Sequence, residues 1–145
     1  MQANKKVVSA ALVLVFTLFS GLAVAGGERR VALKAGKHGK GASGSAVVVD
    51  KGGDRKEVAI ALKGLKPGAV YTVWLVNMKP KMDMAGLGAG DYSFRSDDKG
   101  NASYAATIDA AEFSKWQLIE IAYHPSGDAK NMKEMENTAL IGKLK

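Results

Sequence analysis

Side chains with soft donor atoms are concentrated in two segments of this chain. Of its six methionines, Met1 begins the chain and the other five lie near residue 80 or downstream of a histidine near residue 124. Thioether sulfur and imidazole nitrogen are ligands that suit Cu(I). The pattern therefore predicts copper binding at one of two alternative loop sites. The first comprises Met78, Met82 and Met84, and the second comprises His124, Met132 and Met135.

A packing role for the same methionines is the alternative. Flexible thioether side chains fill irregular gaps where loops lie on a sheet. If successive strands alternate in direction, the loop with Met78–Met84 leaves one end of the fold and the loop with His124–Met135 leaves the other. On that expectation the two clusters form a single site only if one loop folds back along the side of the sheet.

The residues needed for catalysis are sparse. The chain has no cysteine and two histidines, and no Gly-x-Ser-x-Gly segment. We expect His38 to lie in a flexible basic arm, which leaves His124 as the histidine that the fold would hold rigidly. A Ser-His-Asp arrangement through His124 is conceivable, but no spacing selects its partners. Asp97 and Asp98 stand in a turn, where solvated carboxylates are common. These features predict a protein that is not an enzyme.

The first 25 residues have the three parts of an export signal. Lys5 and Lys6 give a positive start, residues 7–24 carry no charge, and Ala23-Val24-Ala25 offers the small-x-small pattern of a cleavage site. A retained membrane anchor is the alternative, because the apolar run is nearly long enough to span a bilayer. The cleavage pattern favours removal of residues 1–25. We therefore predict a periplasmic or secreted protein without a permanent membrane anchor.

Basic charge is concentrated just after that segment, in residues 26–44. Five basic residues stand there against Glu28 alone: Arg29, Arg30, Lys34, Lys37 and Lys40. Such a segment could contact anionic lipid, polysaccharide or nucleic acid. A solvated Gly-rich arm is the favoured interpretation, because no aromatic residue is interleaved to stack on a base or sugar. No nucleic-acid partner is predicted.

The rest of the chain is patterned as short strands between turn signals. Val31-Ala32-Leu33 is a possible edge strand within residues 26–44, and residues 45–145 carry most of the alternating patterns. The run Tyr71–Val76 is apolar on both faces, which indicates a central strand. The predicted fold class is all-β: an antiparallel Greek-key, immunoglobulin-like β-sandwich of seven or eight strands. Its predicted core includes Val58, Ile60, Leu62, Val73, Leu75, Ile108, Ile119 and Ile121.

Several of these segments resemble exported bacterial β-sandwiches. The stretch Val58–Val76 resembles a hairpin of the C-terminal domain of anti-sigma-K factors and, more loosely, of CHRD domains and copper-zinc superoxide dismutase-like sandwiches. Asp91–Phe94 and Ala122–Gly127 fit the later strands of the same fold. The resemblance implies the sandwich and no activity. Dismutase chemistry needs a cluster of histidines, and an anti-sigma factor needs a cytoplasmic domain and a retained helix before the sandwich.

Composition and motifs together predict a non-catalytic binding or structural module of the cell envelope. Its expected partner is an envelope protein or a polysaccharide, and no cofactor is required. Copper binding by the two methionine clusters is the alternative function.

Overall fold

The computed structural model describes residues 27–145, so the predicted signal peptide (1–25) lies outside the described residues. About 51% of the described residues are in strands and 8% are in helical turns, and all strand pairs among them are antiparallel. The predicted all-β antiparallel class is confirmed. The strands are β1 (Glu28–Ala35), β2 (Ser43–Asp50), β3 (Arg55–Lys63), β4 (Val70–Asn77), β5 (Asp83–Gly86), β6 (Ser93–Arg95), β7 (Ala102–Asp109), β8 (Leu118–His124) and β9 (Thr138–Lys143).

The strands form one continuous curled sheet in the order β5-β4-β8-β9-β1-β2-β3-β7, and β6 pairs with β4 beside β5. The expectation that residues 31–33 form an edge strand is wrong. β1 pairs with β2 through residues 28–33 and with β9 through Lys34 and Ala35. Strand β1 is therefore an interior strand that joins the two halves of the sheet.

The curl brings the two edges of the sheet together. The Tyr104 hydroxyl on β7 donates a hydrogen bond of 2.6 Å to the Leu87 carbonyl, which follows β5 at the opposite edge. The rings of Phe94 on β6 and Tyr104 lie 5.8 Å apart. The concave face of the sheet thus encloses the main core.

That core follows the alternation of the strands. Val58, Ile60 and Leu62 on β3 are buried, as are Val73 and Leu75 on β4 and Ile119 and Ile121 on β8. Seven of the eight predicted core residues are therefore buried. Ile108 is half-buried and packs against the same core, because its strand β7 is at the edge of the sheet.

The segment between β1 and β2 is held by the fold and is not a flexible arm. The backbone N–H groups of Gly36 and His38 donate to the carbonyls of Ala139 and Thr138, both at 2.8 Å. Gly39 lies against the backbone of Ala139, where an added Cβ would overlap the carbonyl oxygen. Glycine composition suggested flexibility here, but these glycines allow close contact between backbones.

Two helical turns complete the described chain. Helix α1 (Ala110–Phe113) follows β7, and the Asp109 side chain does not cap it but pairs with Arg55 at 2.6 Å. A 3-10 helix spans Met132–Glu136. In residues 27–145 no helix has both the length and the apolar character needed to cross a membrane.

Candidate functional site

The convex face of β4 and β8 is covered by the segment between β8 and β9. Every residue from Val70 to Val76 is buried. The odd-numbered side chains enter the main core, and Trp74 and Val76 form a second cluster on the convex face that Met135 of this covering segment packs against. The prediction that this run is a central strand apolar on both faces is therefore confirmed. Thr72 carries a fully buried hydroxyl within the run, so it needs a partner under the covering segment.

His124 supplies that partner. It is 1% exposed, Thr72 is fully buried, and the His124 Nε2 atom lies 2.7 Å from the Thr72 Oγ1 atom. The Trp74 indole Nε1–H donates to the same oxygen at 2.7 Å. His124 ends β8 opposite Val70, so the pairing of β4 with β8 positions all three side chains on one face. A histidine, a threonine and a tryptophan thus share one buried hydroxyl.

The donors and acceptors of this network determine how it is protonated. An indole N–H can only donate, so Thr72 Oγ1 accepts from Trp74 and has its own proton left to give. We assign that proton to His124 Nε2, which places the imidazole proton on Nδ1. Nδ1 lies 3.4 Å from the Glu134 Oε1 atom, a contact whose geometry does not meet that of a hydrogen bond. Glu134, His124 and Thr72 therefore form a carboxylate–imidazole–hydroxyl series.

Glu134 also anchors the covering segment. The Ser126 hydroxyl donates to Glu134 Oε1 at 2.7 Å, and the Ser126 backbone N–H donates to Oε2 at 3.1 Å. Partial burial raises the pKa of Glu134, but the two Ser126 hydrogen bonds and the interaction with His124 together lower this pKa by more. The net pKa of Glu134 therefore lies below its ordinary value, and the carboxylate is ionised at neutral pH.

Stability should accordingly depend on Glu134 in a defined pH range. Because its pKa is lowered by folding, the carboxylate stabilises the protein above its ordinary value of 4.5, and this contribution is lost as pH falls through the lowered pKa. We expect Glu134→Gln to lower the melting temperature at neutral pH and to have progressively less effect below pH 4.5. Parallel thermal melts of both proteins across this range measure the difference. A difference in melting temperature between the two proteins that grows as pH falls would contradict the assignment of Glu134 as a stabilising carboxylate.

The structure separates the methionines of the two predicted copper sites. Met78, Met82 and Met132 are 53%, 64% and 58% exposed. Met84 and Met135 instead pack, half-buried, on the cluster formed by Trp74, Val76 and Ala122. Each predicted set therefore combines exposed and half-buried methionines.

The positions of β5 and of the 3-10 helix explain why Met84 and Met135 pack on the same cluster. Met84 lies on β5, which runs back along β4 and pairs Met84 with Val76. Met135 lies in the 3-10 helix over β8, with its sulfur 4.0 Å from Thr72 Oγ1. Both segments thus fold along the convex face of the sheet. Folding of this kind is the condition that the sequence sets for a single site made of both methionine clusters.

His124 has its two ring nitrogens directed at protein groups, Thr72 and Glu134. To ligate a metal it would have to give up one of these contacts. Within residues 27–145, no group of three or more His, Cys, Asp or Glu side chains is arranged to hold a metal ion.

A groove of about 630 Å³ opens next to this cluster. Trp74, Tyr92 and Met132 supply its apolar walls, and Asp91 and Lys130 supply charge. Trp74 and Tyr92 meet edge to face, with ring centroids 5.3 Å apart. An apolar groove with a few polar groups is the usual form of a site for small ligands.

Sequence reasoning identified His124 but missed Thr72 and Trp74 as its partners. The available signal was Thr72 itself, since a hydroxyl within a strand buried on both faces requires a hydrogen-bond partner. The pairing of β4 with β8 brings these distant residues together, and no local sequence pattern predicts that pairing.

A scan against models of known protein families finds no match to this chain, and a search of curated proteins finds no similar sequence. Neither comparison transfers a function, so function has to be inferred from the chemistry and accessibility of the described residues.

Proposed function

We propose that this chain is an exported, non-catalytic binding or structural module of the cell envelope. Export is supported by the charged start, apolar run and Ala23-Val24-Ala25 pattern of residues 1–25, which act as a cleaved signal peptide. The mature protein begins at or near Gly26 and is periplasmic or secreted. Its partner is an envelope protein or a polysaccharide.

The burial of Thr72 is the observation that carries the non-catalytic assignment. The series Glu134–His124–Thr72 has the residue types of a nucleophilic triad. A nucleophile has to reach its substrate, however, and the Thr72 hydroxyl is fully buried and accepts the Trp74 indole N–H. This supports a structural role, in which the series fastens the covering segment to β4 and β8.

We also propose that the curled sheet is a Greek-key β-sandwich. Strands β1, β2 and β3 are neighbours in order, the chain then crosses to β4 in the other half, and β7 returns beside β3. This connectivity and the enclosed core between the two halves are typical of such folds.

Export and activity can be tested on the same preparation. Intact-mass measurement of the protein from the native exported fraction should give a chain that starts within one or two residues of Gly26. A membrane-bound species that retains residues 1–25 would refute export. Turnover in an activity screen that is abolished by His124→Ala would refute the non-catalytic assignment.

Copper binding is the second candidate, and one observation favours it. Met84 and Met135 come from segments about fifty residues apart in sequence, yet both pack on the Trp74 cluster. Thioethers are soft ligands that remain usable in an oxidising compartment, where thiols are lost. In this version Met84 and Met135 are the central Cu(I) ligands, with Met132 at the groove beside them.

Competition against a Cu(I) chelator tests this second candidate. We expect Met84→Leu and Met135→Leu each to weaken affinity by about tenfold or more, as loss of a ligand-shell group does. Met82→Leu is the matched control, because Met82 is 64% exposed and outside the cluster. A loss with Met82→Leu but not with Met135→Leu would favour the site of Met78, Met82 and Met84 instead. Absence of copper binding by the wild type would eliminate the candidate.

A further inference from the structure

A positively charged concavity of about 230 Å³ lies between the β1–β2 turn and the β3–β4 loop. Lys37 and Lys40 line it from the turn, and Lys66 lines it from the loop. No carboxylate is among its lining residues, and in residues 27–145 none of these three lysines forms an ion pair. Three uncompensated ammonium groups around one hollow create a local positive potential that attracts an anion.

The backbone that carries these lysines is fixed by close contacts. Gly64 has φ +74° and lies against Gly41, where an added Cβ would overlap the Gly41 carbonyl oxygen. Gly39 is similarly close to Ala139 on β9, and the His38 N–H donates to Thr138. The turn and the loop are thus locked to each other and to β9, so the concavity is preformed.

A buried hydroxyl at the same concavity offers a further donor. Tyr71 lines the hollow, is 2% exposed, and its oxygen accepts the Lys66 backbone N–H at 3.0 Å. Burial raises the pKa of Tyr71, so the phenol keeps its proton. Within the described part of the chain, no acceptor takes that proton. Lys66 is also held near the hollow, with Nζ 5.8 Å from the Tyr123 ring centroid.

We propose that this concavity binds a tetrahedral oxyanion, a phosphate or sulfate group, through Lys37, Lys40, Lys66 and the Tyr71 hydroxyl. The oxyanion offers several hydrogen-bond acceptors to the ammonium and hydroxyl donors of the lining. The lining itself contains no carboxylate that could accept from them. The group can be a free anion or part of a lipid headgroup. The inference goes beyond the proposed function, because this anion is a ligand in addition to the envelope protein or polysaccharide named there.

Titration of the mature protein with inorganic phosphate at low ionic strength, followed by backbone amide NMR shifts, tests the site. We expect saturable shifts confined to residues 36–42, 64–66 and their neighbours. The double variant Lys40→Gln/Lys66→Gln should weaken affinity by about tenfold. The matched control Lys51→Gln/Lys143→Gln removes the same charge elsewhere and should leave affinity unchanged. Tyr71→Phe should also weaken binding.

Co-sedimentation with vesicles identifies the source of the group. Binding to phosphatidylglycerol vesicles but not to phosphatidylcholine vesicles, with the same loss in the Lys40→Gln/Lys66→Gln variant, supports a lipid headgroup. Phosphate binding without vesicle binding supports a free anion. Shifts that do not saturate, or equal weakening in the control, would overturn the proposal. Such a failure is distinct from failure of export or of envelope binding, because this titration involves neither.

Discussion

Replacing Thr72 with valine is expected to destabilise the protein by about 2 to 6 kcal/mol. The change retains the shape of the side chain but removes the hydroxyl that joins His124 Nε2 and the Trp74 indole N–H, both at 2.7 Å. Each polar group that loses its only partner in the interior costs about 1 to 3 kcal/mol. Urea unfolding of Thr72→Val and wild type measures the difference in the free energy of unfolding.

Thr107→Val is the matched control for this prediction. Thr107 is also on a strand, and its hydroxyl accepts a hydrogen bond from Arg55, but it is exposed to solvent. Water can replace the lost partner there, so the expected change is within about 0.5 kcal/mol. Equal effects at both positions would show that the buried hydroxyl does not organise the convex face.

Replacing Gly64 with alanine is expected to cost about 2 to 6 kcal/mol, from two separate causes. A φ of +74° is strained for a residue with a Cβ, at about 1 to 3 kcal/mol. The new methyl group would also overlap the Gly41 backbone, and overpacking costs about 1 to 3 kcal/mol more. Because Gly64 fixes the loop that carries Lys66, phosphate affinity should fall as well.

Gly41→Ala separates these two causes. Gly41 has φ +85°, and no atom lies within 4 Å of the position that its Cβ would occupy. This variant should therefore show the backbone strain without the overlap, about 1 to 3 kcal/mol. If thermal or urea unfolding gave the two variants the same stability, the close approach of turn and loop would be contradicted.

Much of the sheet could be predicted from sequence because its strands alternate or are apolar on both faces. Val58, Ile60 and Leu62 on β3 are buried as their alternation indicates. The short apolar run of residues 31–33 predicts an edge strand, whereas β1 lies between β9 and β2. Its interior position follows from pairing with β9, more than one hundred residues away, and that pairing has no local signal.

The candidate site was predicted only in part, for the same physical reason. His124 was recognisable as a residue that the fold would hold, but its partners come from β4 and from the covering segment. Met84 and Met135 pack on the same cluster because β5 folds back along β4 and the 3-10 helix lies over β8. Glycine content around residues 36–44 suggested flexibility, whereas close packing between backbones uses glycine equally well.

Quantitative capture by the mature protein is the most direct test of the proposed envelope module. The protein, purified from its native exported fraction and immobilised, is incubated with envelope extract, and the retained and released material is identified by mass spectrometry. The account predicts saturable retention of a defined envelope protein or polysaccharide that is released chemically unchanged, by wild type and by His124→Gln alike. Retention of nothing above a blank support, or release of a modified component that His124→Gln leaves unmodified, would contradict it.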